Sequence, residues 1–150
     1  MSIDNTAFSL DPRLAADCHL LAEMELSLLL LMNNALLPWY ILVPRVDCDE
    51  LHQLTTEQQK RLFEEINQIS QFIKADQSIE KLNTAAIGNI VRQMHIHILG
   101  RNSSDPWWPG TVWGTTQRRA YNQTELDEIQ HRLSLDLTKT INILQPTAKA

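Results

Sequence analysis

The chain predicts an α+β fold: an antiparallel sheet of about five strands carrying two main helices. Three observations predict it. Apolar runs of strand length, bounded by turn signals, cluster before residue 50 and again after residue 80. Two long amphipathic stretches, one between those groups and one near the C-terminus, repeat at helical spacing. The stretch Arg92-Gln93-Met94-His95-Ile96-His97-Ile98-Leu99-Gly100 alternates without a break. As a strand it sends Gln93, His95, His97 and Leu99 one way and Met94, Ile96 and Ile98 the other.

Taken in order, Phe8 to Ala16 reads as a short helix, with Asp11 as N-cap and Pro12 in the first helical position. Cys18 to Met24 is open between a helix end and a strand. Leu26–Met32 is an apolar run of strand length, broken by Asn33-Asn34-Ala35. Leu36-Leu37-Pro38 then leads into Trp39–Pro44, rich in β-formers and bounded by prolines, and the two runs pair as antiparallel neighbours. Asp47 to Glu50 is a solvated connection. Thr55 or Thr56 opens the clearest helix, with Leu62, Phe63, Ile66, Ile69 and Ile73 at helical spacing and an end near Ala75-Asp76. Lys81–Ile87 is a strand, Gly88-Asn89 a turn, and Gln93–Leu99 the next strand. Residues 102–114 have neither period and hold three of the four tryptophans, Trp107, Trp108 and Trp113, whose rings must pack against something. From Asn122 or Thr124 a second amphipathic helix runs to about Ile143, with Leu126, Ile129, Leu133, Leu137 and Ile141 on one face.

At 150 residues the chain is read as one domain spanning 1–150, with its motif region at about 25–101 and a Trp-rich loop and helix at 102–150. A net charge of -5 argues against broad nucleic-acid affinity, which needs an excess of Lys and Arg. Cys18 and Cys48 form no CxxC pair and read as reduced thiols. The acidic, polar opening Met1–Asn5 is unlike a signal peptide, and Leu28–Met32 is far too short to span a bilayer. A soluble cytoplasmic protein without membrane or nucleic-acid partners is expected.

Two of the five histidines, His95 and His97, stand two residues apart on one strand face, with Cβ atoms roughly 7 Å apart. Gln93-Met94-His95-Ile96-His97-Ile98-Leu99 resembles the His-φ-His-φ-His-φ-φ motif (φ apolar) of the histidine triad (HIT) superfamily, with Gln93 in place of the first histidine. Asn83 and Gly88-Asn89 are similar to the Asn and Gly-containing pair that precede the triad. Met32-Asn33-Asn34, ahead of Pro38 and Ile41-Leu42-Val43-Pro44, is similar to the family's nucleoside-binding strand pair.

The resemblance implies a HIT-like nucleotide hydrolase or nucleotidyl transferase acting on a diadenosine polyphosphate or a nucleoside phosphoramidate. His95 would be the nucleophile, attacking the α-phosphorus to give a covalent nucleotidyl-histidine. A neutral imidazole suits this, and the side chain's ordinary pKa near 6.5 supplies one. A backbone carbonyl on the other ring nitrogen, the family's usual device, would hold the tautomer. His97 would contact phosphate oxygens, and the Gln93 amide would donate to a phosphate or leaving-group oxygen without carrying a proton. Asn33 or Asn34, with Asn33 favoured, would bond ribose hydroxyls; Asn83, Gly88 and Asn89 would hold phosphate. No cofactor is implied for the covalent step, Mg²⁺ being compatible with a polyphosphate substrate but not required, and a homodimer is implied.

Other readings stay open. Without a first histidine, the chain is alternatively a nucleotide-binding module with little or no turnover. His-x-His on a strand also suits zinc, given a third ligand. His19, His52 and His131 read as surface or helix residues, and Gly88 as a possible turn glycine. The tryptophan loop either lids a core or dimer contact or lines the pocket. Arg92 and Arg101 flank the strand without an assigned role.

Overall fold

The computed structural model describes residues 8–137 and 142–149. Met1–Asn5 and Ile141, which figure in the sequence reading, lie outside the described residues. Helix α1 (Pro12–Asp17) starts as its sequence dictates: the Asp11 carboxylate accepts the Arg13 N–H at 2.8 Å and proline sits in the first turn. The open stretch after it is a strand, β1 (Cys18–Glu23), hairpin-paired with β2 (Ser27–Met32). Strand β3 (Trp39–Pro44), helix α2 (Thr56–Lys74), strands β4 (Lys81–Ala86) and β5 (Ile96–Arg101), helix α3 (Gln123–Asp136) and the two-residue β6 (Asn142–Ile143) complete the order. Thr55 and Gln58 cap α2 reciprocally, at 3.2 and 2.9 Å, as the capping-box spacing requires.

The sheet has six strands, in the order β4-β5-β3-β2-β1-β6, and every pairing between them is antiparallel. Both faces are covered. On one face α2 and α3 pack Leu62, Ile69, Phe72, Ile73, Leu126 and Leu133 against Leu29, Leu31, Leu42, Met94, Ile96 and Ile98. On the other, Leu14, Leu10, Phe8, Val112, Trp107 and Trp113 pack over Leu30, Trp39, Ile41 and Leu99. Each fully buried aliphatic side chain contributes roughly 1.5–3 kcal/mol, so these two layers hold the sheet between them.

Four expectations are corrected. The ladder of the histidine strand starts at Ile96 and runs to Arg101, rather than from Gln93 to Leu99, because its partner β4 ends at Ala86, opposite Ile96. The alternation nevertheless holds through Met94, which joins Ile96 and Ile98 in the helix-side core. Helix α3 stops at Asp136, and Ile143 pairs with Ala22 as a sheet edge, which supplies the sixth strand. Phe63 is 64% exposed, and α2 instead buries Phe72, whose position faces Tyr40 edge-on. His19, expected at the surface, is buried where β1 meets Asn33.

Gly100 shows how closely the helix layer meets β5. A Cβ there would lie 2.7 Å from Ile73 Cγ2 and 2.9 Å from Ile79 Cδ1. The Ile73 methyl sits on a stiff β-branched carbon and yields little. Gly100→Ala is expected to cost about 1–3 kcal/mol, read as a lower urea midpoint with an unchanged slope; an unchanged midpoint would show that the contact relaxes freely.

Candidate functional site

Strand β5 and the segment before it carry the polar row on the face opposite the helices. His95 and His97 are both 6% exposed, with ring centroids 4.9 Å apart and planes inclined by 67°. Their tautomers are fixed by different partners. His95 Nδ1 lies 2.7 Å from the Gln93 carbonyl oxygen, which only accepts, so Nδ1 carries the hydrogen and Nε2 keeps its lone pair. His97 Nδ1 lies 2.9 Å from Trp39 Nε1. An indole N–H only donates, so His97 Nδ1 is the acceptor and its hydrogen is on Nε2. Adjacent imidazoles are thus held in opposite tautomers, one with a free Nε2 lone pair and one with an Nε2–H.

Trp39 reaches His97 because β3 lies beside β5, with Trp39 opposite Leu99 and Ile41 opposite His97. Trp113 closes the other side, its ring edge-on to His97 at 5.5 Å and to Trp39 at 6.3 Å. Its buried Nε1–H has no partner among the described residues. Burial in this aromatic cage, and then the neighbouring His95 ring, push the His97 pKa down to about 4.

Gln93 precedes the ladder, and its carboxamide is engaged at both ends. Oε1 accepts the Asp11 N–H at 2.8 Å and Nε2 donates to the Ser9 carbonyl at 2.9 Å. One residue therefore ties the N-terminal segment to the carbonyl that orients His95.

A cavity of about 850 Å³ opens beside His95. Gly88, Asn89 and Arg92 line it from the loop between β4 and β5, and Asp49 and His52 line the facing wall. Arg92 and Asp49 form an exposed ion pair across it, at 3.3 Å. A Cβ on Gly88 would lie 3.3 Å from the Val91 carbonyl oxygen, so the loop's own fold accounts for a residue without one.

Asn83 shares the histidine face, being opposite Leu99, two positions from Ala85, which is opposite His97. Its Oδ1 accepts from Arg101 Nη1 at 2.8 Å, which leaves its N–H₂ as the outward group. Arg101 is itself buried in a two-point ion pair with Asp105, at 2.7 and 3.0 Å. Burial alone would raise the Asp105 carboxyl, but Arg101 and the N–H groups of Trp107 and Asn102 outweigh it and hold it below the usual carboxylate range. Arg101 is thus a buried strut rather than a flanking surface charge.

Asn33 and Asn34 stand elsewhere. Asn33 Oδ1 accepts from His19 Nε2 and from the Tyr121 N–H, each at 3.0 Å. Asn34 bonds Gln117, Arg119 and Leu36. Both anchor the segment leading into α3. They follow Met32 at the end of β2, level with Pro38, whose carbonyl accepts from Gly100, and so stand roughly 16 Å along the strands from His95. The structure brings together His95, His97, Gly88, Asn89 and, on the same face, Asn83, and leaves Asn33 and Asn34 at the other end. Among the described residues no three His, Cys, Asp or Glu side chains group as a metal centre would require.

Sequence reasoning missed Trp39, Arg101 with Asp105, and the Ser9–Asp11 contact. Opposite charges four residues apart at a strand end were the available signal for the second. The other two join residues too distant in sequence to leave one.

The profile described as HIT domain matches residues 13–104. Among solved structures, a histidine triad protein from Bradyrhizobium japonicum is 38% identical, with 87% of this chain and 98% of that chain covered and a TM-score of 0.83. A histidine triad (HIT) protein from Sinorhizobium meliloti is 38% identical, covering 88% and 98%, also at 0.83. One from Marinobacter aquaeolei is 40% identical, covering 89% and 98%, again at 0.83. No curated protein matches.

The pH dependence of folding follows from His97. The unfolded side chain takes a proton near pH 6.5 and the folded one only near 4. Between those values the unfolded state holds more protons, so this contribution is full above about pH 6.5 and fades as pH falls towards 4. It amounts to something on the order of 3 kcal/mol. Subtracting the profile of a His97→Gln variant from that of the native chain in urea titrations should isolate a loss in that window; parallel profiles would mean that His97 is not held neutral.

Proposed function

The chain belongs to the HIT domain family, whose members generally bind nucleotides and act as hydrolases or transferases, and we propose that it is a nucleotide hydrolase or nucleotidyl transferase with His95 as nucleophile. The observation that carries this is the 2.7 Å bond from His95 Nδ1–H to the Gln93 carbonyl, beside a cavity of nucleotide size. That bond leaves the Nε2 lone pair to attack the α-phosphorus and makes the ring more nucleophilic by stabilising the positive charge that develops on attack. Water, or another acceptor, then displaces the nucleotidyl group from Nε2.

The other residues take supporting roles in this reading. His97 offers Nε2–H to a phosphate oxygen without adding charge beside the nucleophile. Gly88 and Asn89 line the phosphate end of the cavity, and Arg92 is their cation. Its exposed pair with Asp49 is worth at most about 1 kcal/mol, so a phosphate displaces it readily. Asn83 offers its N–H₂ to the nucleotide. Asn33 and Asn34 would reach ribose only if the nucleoside extends along β3 from the cavity. Mg²⁺ accompanies a polyphosphate substrate. A homodimer belongs to the same reading, since β4 is an edge strand with one side open and Ile90 stands 77% exposed beside the cavity.

The engaged Gln93 carboxamide favours one second reading, a module that binds nucleotide without turning it over. Diadenosine tetraphosphate and an adenosine phosphoramidate, offered to the native chain and to His95→Ala, separate the two. Hydrolysis by the native chain, reduced at least about 10³-fold in the variant, is expected. Binding without turnover in either protein identifies the module, and absence of nucleotide binding by both defeats the functional account.

A further inference from the structure

His95 cannot cleave a nucleotide alone, because whatever leaves the α-phosphorus must depart with the electron pair of its bond. We infer that this site takes nucleotides joined to their leaving group through a phosphoanhydride oxygen, because neither side chain flanking His95 in the row is built to protonate a departing group. The inference rests on the proposed role of His95 and narrows its substrate class.

The flanking residue on one side is Gln93. A carboxamide does not release a proton, and this one is also turned towards the N-terminal segment, with Oε1 on the Asp11 N–H and Nε2 on the Ser9 carbonyl. On the other side is His97. The Trp39 indole occupies its Nδ1 as donor, and Trp113 and His95 enclose the ring. To act as an acid the ring would need protons on both nitrogens, and Nδ1 would then face an N–H it cannot accept from. With its pKa near 4 it is a neutral hydrogen-bond donor at physiological pH.

The remaining ionisable side chains on the cavity are Arg92, Asp49, Glu50 and His52. Arg92 and Asp49 are engaged with each other as an ion pair. His52, on the short turn Leu51–Gln53, and Glu50 just before it are exposed side chains of the far wall, outside the row that holds His95.

The steps balance without an acid. The Nε2 lone pair forms the N–P bond as the P–O bond breaks, and its electron pair leaves on a phosphate oxygen that is stable as an anion. The ring, now N-substituted, keeps Nδ1–H on the Gln93 carbonyl. Water then attacks the same phosphorus, the N–P pair returns to Nε2, and the water's proton goes to solvent. An amine leaving group from a phosphoramidate would need a proton at the first step, and the row holds none to give.

Diadenosine tetraphosphate and adenosine 5′-phosphoramidate, compared at neutral pH with the native chain, test the inference. A kcat/KM at least about 100-fold lower for the phosphoramidate is expected, the factor that a missing general acid removes. Values within tenfold of each other overturn it. So does a His52→Asn or Glu50→Gln variant that loses phosphoramidate cleavage while keeping anhydride cleavage, since that side chain would then be the acid. Cleavage of both compounds that survives His95→Ala, or cleavage of neither, instead defeats the role of His95 and removes the inference with it.

Discussion

The 2.9 Å hydrogen bond from the Trp39 indole to His97 Nδ1 is the contact on which the rest of the site depends. Because an indole N–H has only one role, the bond settles which His97 nitrogen carries hydrogen. Because Trp39 is held by β3 in the middle of the sheet, it settles where the ring lies. The aromatic enclosure around His97 then keeps that ring from charging. In the proposed mechanism a positive ring 4.9 Å from His95 would oppose the charge that His95 acquires on attack, so a neutral His97 is the arrangement that suits that proposal and still offers a donor.

Gln93 couples this chemistry to the N-terminal layer. Its main chain orients the His95 ring while its side chain secures Ser9 and Asp11, the residues that lead into α1. The Gln93 carboxamide is thereby a two-point clip on the N-terminal segment. The Asp105–Arg101–Asn83 chain does similar work from β5, setting an amide outward by fixing its oxygen. In both cases a polar side chain acts through the orientation it imposes on another.

Much of this was legible in the sequence because it depends on local periodicity. The alternation of Met94, Ile96 and Ile98 with His95 and His97 correctly assigned two faces, and Asp11-Pro12 and Thr55…Gln58 correctly opened two helices. What was not legible depends on partners remote in the chain. The start of the β5 ladder is decided by where β4 ends, and the sixth strand by a two-residue pairing of Asn142–Ile143 with β1. Phe63 matched the helical repeat as well as Ile66 and Ile69 did, but α2 turns Phe72 inward instead. The tautomer of His97 is set by a tryptophan 58 residues away, and the hydrogen bonds of Asn33 and Asn34 go to the segment before α3.

Side-chain nitrogen NMR of the histidines, with 15N-labelled protein near neutral pH, tests the central claim most directly. The account predicts His95 as the Nδ1–H tautomer and His97 as the Nε2–H tautomer, with His97 staying neutral down to about pH 4. An Nε2–H tautomer at His95, or a His97 ring that takes its proton near the ordinary value of about 6.5, would contradict it.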